Sequence, residues 1–470
     1  MSSFRLNKKW ILIIVAFVLA RVFVFSSFWE ASADKGGWNN FYAWSQPAQA
    51  ALMQKFHEPC DWRPPLYYTF TSTALFLFKS QLSIYLFQLL LAFASLIIGY
   101  KIIRLFFSEK IAFWATLIWA IEPFWAWQNF QLASENLYMP IFLAAMFFLF
   151  NFFKQGTIRH IALASFFFGL AALTRPTALL MPAFISIVLI ALFILRNKIK
   201  TDDAFFKKSV KEVVILLLIF NVLFLVILAP WIIRNKIIYD RFSFVNLSAI
   251  NVYYYNLPPL IAFQKNISYQ EASDIIIAKA EKDLGPSHIA AKNWDCSLFT
   301  NEEFNKHLDY YSSESNKYIL RNLKDYLPLH LVKMAPFFAD SGYFDMYSAY
   351  TGEYSKPDIT AAFLKRDFKE IKKFFTGLDF KKTIYIFGIF FWLVVFASLV
   401  AAVFYSFFKD KSKFLFFAFS LLLAFYTSFL TSPFNFARYR LPLYLFFFAA
   451  FVYVIEKLIS VRKDDRDIVL

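Results

Sequence analysis

The feature that most constrains this chain is a series of apolar runs, each bounded by charged residues and each close to the length of a membrane-spanning helix. A helix needs about 20 apolar residues to cross the ~30 Å hydrocarbon core of a bilayer. The runs lie at residues 10–28, 82–107, 111–130, 136–153, 158–174, 176–195, 213–230, 383–408, 414–430 and 441–459. The composition is 59% hydrophobic with 64 Phe and only 10 Gly, more apolar than a soluble core requires. The pattern predicts an all-α polytopic membrane protein with about ten transmembrane helices.

The basic residues predict how these helices are oriented. Lys and Arg concentrate in short connectors such as "KIIRLFFSEK", "FFKQGTIRH", "RNKIKTDDAFFKKSVK" and "KDKSK". All of these connectors fall on the cytoplasmic side if both termini are cytoplasmic, as the positive-inside rule favours. Lys8 and Lys9 precede the first run, which therefore reads as a first span and not as a cleaved signal peptide. The net charge of +16 is explained in this way and needs no nucleic-acid partner.

This orientation requires that one further apolar stretch does not cross the membrane. In "CDWRPPLYYTFTSTALFLFK", residues 60–79, only about fifteen apolar residues follow a double proline, fewer than a span needs. Prolines suit the first turn of a helix, so we predict a short juxtamembrane helix in the first outer loop, residues 29–80. The second outer loop, 231–382, contains helix-like polar stretches and predicts a mainly helical extracytoplasmic insertion. The predicted division is 1–230, 231–382 and 383–470.

Charged residues of both signs collect at the predicted outer ends of the spans. Charges at membrane depth are costly and usually face a cavity or a partner. Arginines match the oxygens of a phosphate group, and carboxylates can serve as a general base or hold a divalent metal. The candidate residues are Asp34, Glu135, Arg63, Arg175, Arg438 and Arg440.

Each candidate also has a purely structural interpretation. Arginines near span ends can be interfacial anchors, and a carboxylate at a span start can cap its helix. Arg21, inside the first run, more often reaches to the interface than binds a substrate, and Glu122 beside Pro123 can be a hydrogen-bonded kink residue. Cys60 and Cys296 both fall on the outer side, and the sequence leaves open whether they form a disulfide. Two cysteines give no metal motif.

The ordered motifs "RPPLYY", "SENLYMP", "GLAALTRPTALLMP", "APWIIRN" and "ARYRLPLY", behind an acidic first outer loop, resemble the GT-C superfamily of membrane glycosyltransferases. The resemblance is to the branch of the protein O-mannosyltransferases and the bacterial aminoarabinose transferase that modifies lipid A. It covers residues 10–260 and 383–457, whereas 260–380 matches no family pattern. It implies a sugar donor on a polyprenyl phosphate and transfer on the outer face, and it leaves open whether a divalent metal takes part.

The resemblance also implies roles for individual residues. Asp34 matches the first-loop acid that acts as base or orients the acceptor, since it stands four residues before Trp38. An alternative alignment on Tyr42 would place Trp38 or Asn39 there. Arg63 matches the basic residue that contacts the donor phosphate, and Glu135 the acid that lines the same cavity. Arg440, with Arg438 beside it, matches the basic residue before the "LP" of the final span.

We therefore expect inverting glycosyl transfer to a protein, lipid or glycan acceptor, with donor phosphate held by arginines. A lipid-linked substrate transporter or flippase is the alternative, although its usual signature of inverted repeats is not seen in the sequence. A third reading is a scaffold that has lost activity. Richness in Phe, Lys, Ile and Asn is typical of AT-rich genomes and favours a bacterial inner membrane.

Overall fold

The computed structural model describes residues 8–34, 63–196, 203–286, 288, 298–351, 368–369, 372, 376, 380–433 and 436–469. For residues 28–34, 349–351, 380–382 and 461–469 within these ranges, it describes the backbone but not the side chains. This part of the chain is helical and contains no β-strand, which confirms the predicted fold class. Both cysteines lie outside the described residues, so their pairing stays open.

The described residues of the first half of the chain form nine helices, and their bounds follow the apolar runs closely. They are α1 (Lys8–Asp34), α2 (Pro65–Phe78), α3 (Gln81–Arg104), α4 (Glu109–Ile121), α5 (Pro123–Gln128), α6 (Glu135–Gln155), α7 (Ile158–Ala172), α8 (Met181–Ile194) and α9 (Val210–Tyr239). Short 3-10 turns at Pro176–Ala178 and Ala204–Lys207 join the helices around α8. The helix α2 is the predicted short helix after the double proline, with Pro65 in its first turn.

The second half contains a group of shorter helices and then three long ones. They are α10 (Leu247–Asn251), α11 (Leu257–Lys265), α12 (Tyr269–Leu284), α13 (Asn301–Arg321), α14 (Leu323–Val332), α15 (Ala335–Ala339), α16 (Tyr343–Thr351), α17 (Phe380–Lys409), α18 (Lys411–Thr431), α19 (Ala437–Arg440) and α20 (Tyr444–Val469). A π-helix at Val252–Asn256 links α10 to α11, and a 3-10 turn at Leu441–Leu443 links α19 to α20.

Eight helices of the described part are long and apolar enough to cross a membrane, fewer than the predicted ten. The two remaining apolar runs do form helices, but shorter ones. The run at 111–130 is broken into α4 and α5, because the Glu122 side chain accepts the Trp125 backbone N–H at 2.7 Å and Pro123 opens the new helix. Glu122 is therefore a capping residue. The other run gives α7, of 15 residues. A count of ten spans is thus not confirmed.

Among the described residues, buried apolar side chains form one large core, one smaller core and two minor clusters. The large core is shared by the long helices, and the small one is built by residues 250–311 around Tyr253, Tyr254 and Tyr311. The predicted insertion is not uniform, since Phe337, Phe338 and Met346 belong to the large core. Two hydroxyl groups connect the preceding helix α14 and the turn after it to α18. Ser428 donates to the Met334 carbonyl at 3.2 Å, and Ser432 donates to the His330 carbonyl at 2.8 Å. The predicted division at 231 and 382 itself remains a prediction.

Gly342 gives a first prediction, because it fixes the close approach of α16 to α5. Its φ is +75°, and a Cβ at this position would overlap the ring of Phe124. We expect Gly342→Ala to lower the free energy of unfolding by about 2–4 kcal/mol, from backbone strain together with overpacking. Gly285 is the matched control, since it has a φ of +80° and open space around it. Thermal unfolding of the purified variants measures both, and equal losses would contradict a packing role for Gly342.

Candidate functional site

The predicted site residues Glu135, Arg175 and Arg438 come together, although they lie far apart in the chain. Glu135 opens α6, Arg175 lies between α7 and the 3-10 turn, and Arg438 lies in α19. One Glu135 carboxylate oxygen forms a close ion pair with Arg175, and the same oxygen lies 3.8 Å from Nε of Arg438. Two guanidinium groups therefore share one carboxylate.

The exposure of these three side chains differs in a way that matters for chemistry. Glu135 and Arg175 are 5% and 12% exposed, whereas the Arg438 side chain is 43% exposed. The Arg175 guanidinium also faces the rings of Tyr138 and Tyr439, at 5.9 and 5.4 Å from their centroids. The two aromatic rings thus hold the buried Glu135–Arg175 ion pair in place, and Arg438 is the cation that a ligand could reach first.

The juxtamembrane helix α2 brings Arg63 to the same region. Arg63 is half-buried, and the backbone N–H of Leu66 donates to the carbonyl of Leu173 at 2.8 Å, just before Arg175. Within α2, burial raises the pKa of the Tyr67 hydroxyl well above its usual range, and the negative charge of Glu135 adds to this. Tyr67 therefore stays protonated, and its hydroxyl donates a hydrogen bond to Oε1 of Gln88 at 2.7 Å.

An apolar groove of about 360 Å³ runs along α2. It is lined by Leu66, Thr69, Phe70, Thr73, Ala74, Leu77, Phe87 and Leu137. Leu66 and Leu137 stand close in sequence to Arg63 and Glu135. A groove with this lining suits a hydrocarbon chain.

Arg440 has a different environment from the one predicted. Its guanidinium is fully buried, stacks 3.6 Å from the ring centroid of Trp392, and donates to the backbone carbonyls of Phe337 and, at 2.6 Å, Asp340. Because two of its nitrogens donate to the chain itself, this geometry does not favour a phosphate contact by Arg440, and that contact stays a prediction. Arg440 instead fastens the segment after α15 to the final helix.

Two further predictions concern α1. Asp34 is the last residue of α1, and its side chain lies outside the described part of the structure, so its role remains a prediction. Arg21 does not reach to an interface: it is buried, lies 3.9 Å from the ring centroid of Phe17 and 4.3 Å from that of Trp125, and hydrogen-bonds Asn129. The interpretation of Arg21 as an interfacial residue was wrong, because polar partners from α4 and the turn after α5 satisfy it inside the protein.

Asp345 of α16 is a site residue that the sequence reasoning missed. It is half-buried and interacts electrostatically with Arg438. It lies in the stretch 260–380, which matched no family pattern, so no motif pointed to it. Its only signal was a lone carboxylate in the aromatic sequence "GYFDMYSAY".

Metal binding finds no support among the described residues, where no group of three or more His, Cys, Asp or Glu side chains could hold an ion. Within that part of the chain, Glu135 is engaged by arginines. The clustered groups are suited to holding an anion.

Comparison with known proteins agrees with this geometry. Residues 63–233, from Arg63 to beyond Arg175, match the model of the dolichyl-phosphate-mannose-protein mannosyltransferase family. None of the curated protein sequences matches the chain significantly.

Two solved structures, both of an archaeal oligosaccharyltransferase, show the same fold at low sequence identity. The archaeal oligosaccharyltransferase AglB from Archaeoglobus fulgidus, in complex with an inhibitory peptide and a dolichol-phosphate, is 11% identical with a TM-score of 0.51, covering 99% of this chain and 52% of its own. An apo form of the Archaeoglobus fulgidus oligosaccharyltransferase is 13% identical with a TM-score of 0.51, over 100% and 53%. ArnT from Cupriavidus metallidurans, bound to undecaprenyl phosphate, is 14% identical with a TM-score of 0.34, over 84% and 67%.

The chain thus spans about half the length of the two oligosaccharyltransferase structures, so their activity as whole proteins does not transfer to it directly. The described part of the chain has the long apolar helices of a multi-pass membrane protein, and the family model matches the N-terminal ones among them. The predicted resemblance to the GT-C membrane glycosyltransferases is confirmed by these findings.

Proposed function

We propose that this protein transfers a sugar from a polyprenyl-phosphate-linked donor to an acceptor on the extracytoplasmic side of the membrane, with inversion at the anomeric carbon. The observation that carries the proposal is the convergence of Arg175 and Arg438 on the Glu135 carboxylate, together with an apolar groove along α2, the helix that follows Arg63. The guanidinium groups suit a phosphate, and the groove suits a polyprenyl chain.

The family match and the fold comparison support the same donor class. The matched family is described by dolichyl-phosphate-mannose, and the AglB structure holds a dolichol-phosphate. Both are polyprenyl-type phosphates. The ligand class that the site geometry favours is therefore the one that appears in the descriptions of these proteins. The acceptor, whether protein, lipid or glycan, is left to experiment.

The proposed reaction assigns the arginines to the leaving group. The acceptor oxygen or nitrogen attacks the anomeric carbon, the bond from that carbon to the phosphate oxygen breaks, and polyprenyl phosphate departs as an anion. Arg438 and Arg63 stabilise the charge that develops on this phosphate, since guanidinium groups fixed in advance in a water-poor site require little reorganisation. Arg175 contributes through the same cluster.

The acceptor proton needs a carboxylate that is not already occupied. Glu135 is engaged by Arg175 and lies close to Arg438, so we assign it to holding these arginines in place. Asp34, at the end of α1, is then the proposed general base, and it takes the proton from the acceptor hydroxyl or amine as the new bond forms. The sequence alone left both Asp34 and Glu135 as candidates for the base, and this proposal assigns the role to Asp34.

The experiment is a transfer assay with the purified protein in nanodiscs, polyprenyl-phosphate sugars as donors, and membrane extracts as acceptors. We expect release of free polyprenyl phosphate from at least one donor. Asp34→Asn should lower turnover at least about a hundredfold while leaving donor binding unchanged, because general-base catalysis contributes 10²–10⁴-fold.

Two outcomes would contradict the proposal. Translocation of the donor across a liposome membrane without release of sugar would favour the transporter alternative. Full turnover by Asp34→Asn would move the base to another carboxylate, of which Asp345, whose charge acts on Arg438, is one described candidate.

A further inference from the structure

Asn129, in the turn after α5, lies at the centre of a buried hydrogen-bond network beside the proposed site. Its Oδ1 accepts two bonds from the Arg21 guanidinium of α1, from Nε at 3.1 Å and from a terminal nitrogen at 3.0 Å. Its Nδ2 donates to Oδ1 of Asn136 at 3.1 Å. Asn136 follows Glu135 directly and donates to the carbonyls of Gln128 and Gln131 at 2.9 and 3.0 Å. One side-chain amide therefore joins α1 to the first turn of α6.

Gln88 of α3 extends the network to the juxtamembrane helix. Its Nε2 donates to the carbonyls of Asn129 and Gln131 at 2.9 and 3.1 Å. Its Oε1 accepts the Tyr67 hydroxyl at 2.7 Å. Tyr67 lies in the first turn of α2, shortly after Arg63. The network thus reaches both helix starts that present charged groups to the site.

The side chains of this network are all buried, and their polar atoms all have partners. Arg21, Tyr67, Gln88, Asn129 and Asn136 are between 0% and 6% exposed, and none of them has an unsatisfied buried side-chain atom. Apolar side chains would fill the same space without the risk of unpaired polar groups. A fully satisfied polar network instead selects one arrangement of the elements that it joins, since any shift leaves buried groups unpaired.

We propose that Asn129 and Gln88 are positioning residues of the site, which set the placement of the Glu135 end of α6 and the Arg63 end of α2 relative to one another. The inference rests on the proposed function only in naming the bound group as a polyprenyl phosphate. Neither side chain touches the arginine cluster: Asn129 acts through Asn136, and Gln88 acts through Tyr67. The charges that hold the phosphate are thereby fixed before the ligand arrives.

The test measures local order and ligand binding separately in the full-length protein. Hydrogen–deuterium exchange of the purified protein would be followed in segments 66–70 and 136–140 for Asn129→Leu and Gln88→Leu. Asn151→Leu is the matched control, because Asn151 is a buried asparagine of α6 whose amide donates only to Phe147 of its own helix. Binding of undecaprenyl phosphate would be measured by native mass spectrometry on the same samples.

We expect exchange to rise about tenfold in 136–140 for Asn129→Leu and in 66–70 for Gln88→Leu, the effect of losing one buried hydrogen bond. Both variants should bind undecaprenyl phosphate about tenfold more weakly. The control should change neither quantity, even if its melting temperature falls. Asn129→Asp should be intermediate, since it keeps the acceptor for Arg21 and loses the donor to Asn136.

Two results would overturn the inference. One is a lower melting temperature with unchanged or uniformly raised exchange, including in the distant helix α13, which would make the network a contributor to stability alone. The other is local exchange as expected with unchanged affinity. If the wild-type protein binds no undecaprenyl phosphate, the proposed function fails, and the exchange pattern alone decides whether the network places the two helix ends.

Discussion

Arg175→Gln is expected to lower the free energy of unfolding by about 3–5 kcal/mol, the usual effect of removing one partner of a buried ion pair. The Glu135 carboxylate is 5% exposed, and Arg175 is its closest cation. Without Arg175 the negative charge would remain buried, with only Arg438 at 3.8 Å and partly screened by solvent. The loss can be measured by denaturant titration in mixed micelles.

Arg438→Gln is the matched comparison, since it removes the other arginine of the same carboxylate. The Arg438 side chain is 43% exposed, so we expect its loss to change stability by no more than about 1 kcal/mol. Affinity for polyprenyl phosphate should nevertheless fall at least about tenfold in both variants, because each removes a charge-assisted hydrogen-bond donor. Stability and affinity are therefore expected to respond differently to the two substitutions.

A double variant separates the two contributions of Arg175. Adding Glu135→Gln to Arg175→Gln removes the orphaned charge, so most of the lost stability should return, whereas the affinity for phosphate should not. If Arg175→Gln is as stable as the wild type, or if the second substitution recovers nothing, Glu135 and Arg175 do not form the buried pair that organises this site.

The sequence alone was sufficient for the features that depend on local pattern. The apolar runs located the long helices, and the double proline located the start of α2 at Pro65. Charge at predicted span ends brought Glu135, Arg175 and Arg438 into one hypothesis, and the structure brings these three together. The predicted orientation of the helices was sufficient to group these residues, because residues at the same end of adjacent helices are close whatever their separation in the chain.

What the sequence could not supply depends on partners from distant helices. Arg438 and Arg440 stand two residues apart and have the same charge. Arg440 is buried against Trp392, whereas Arg438 is partly exposed, and this difference depends on packing that the sequence does not reveal. Asn129 and Gln88 carry no charge, so a search for charges passes over them. The cluster of amides around Asn129 in "WQNFQLASEN", within an apolar region, was nevertheless a signal of buried polar contacts, whereas Gln88 stands alone in "YLFQLLL".

The distinction between anchor and ligand can be tested directly at Arg440. Arg440→Met keeps most of the side-chain volume and removes the donors to the Phe337 and Asp340 carbonyls. Each buried acceptor left unsatisfied costs about 1–3 kcal/mol, and the stacking on Trp392 is also lost. We therefore expect the free energy of unfolding to fall by about 3–5 kcal/mol, with the loosening centred on the segment from α15 to α16.

Phosphate binding per folded molecule should remain within about twofold of the wild type for Arg440→Met, in contrast to Arg438→Gln. Measuring affinity on the folded fraction, below the melting temperature of the variant, separates the two effects. A hundredfold loss of affinity in Arg440→Met with unchanged stability would restore Arg440 as a phosphate ligand. It would also require the side chain to leave Trp392 and two backbone carbonyls when the donor binds, and a shift in exchange at 336–342 on adding undecaprenyl phosphate would reveal that movement.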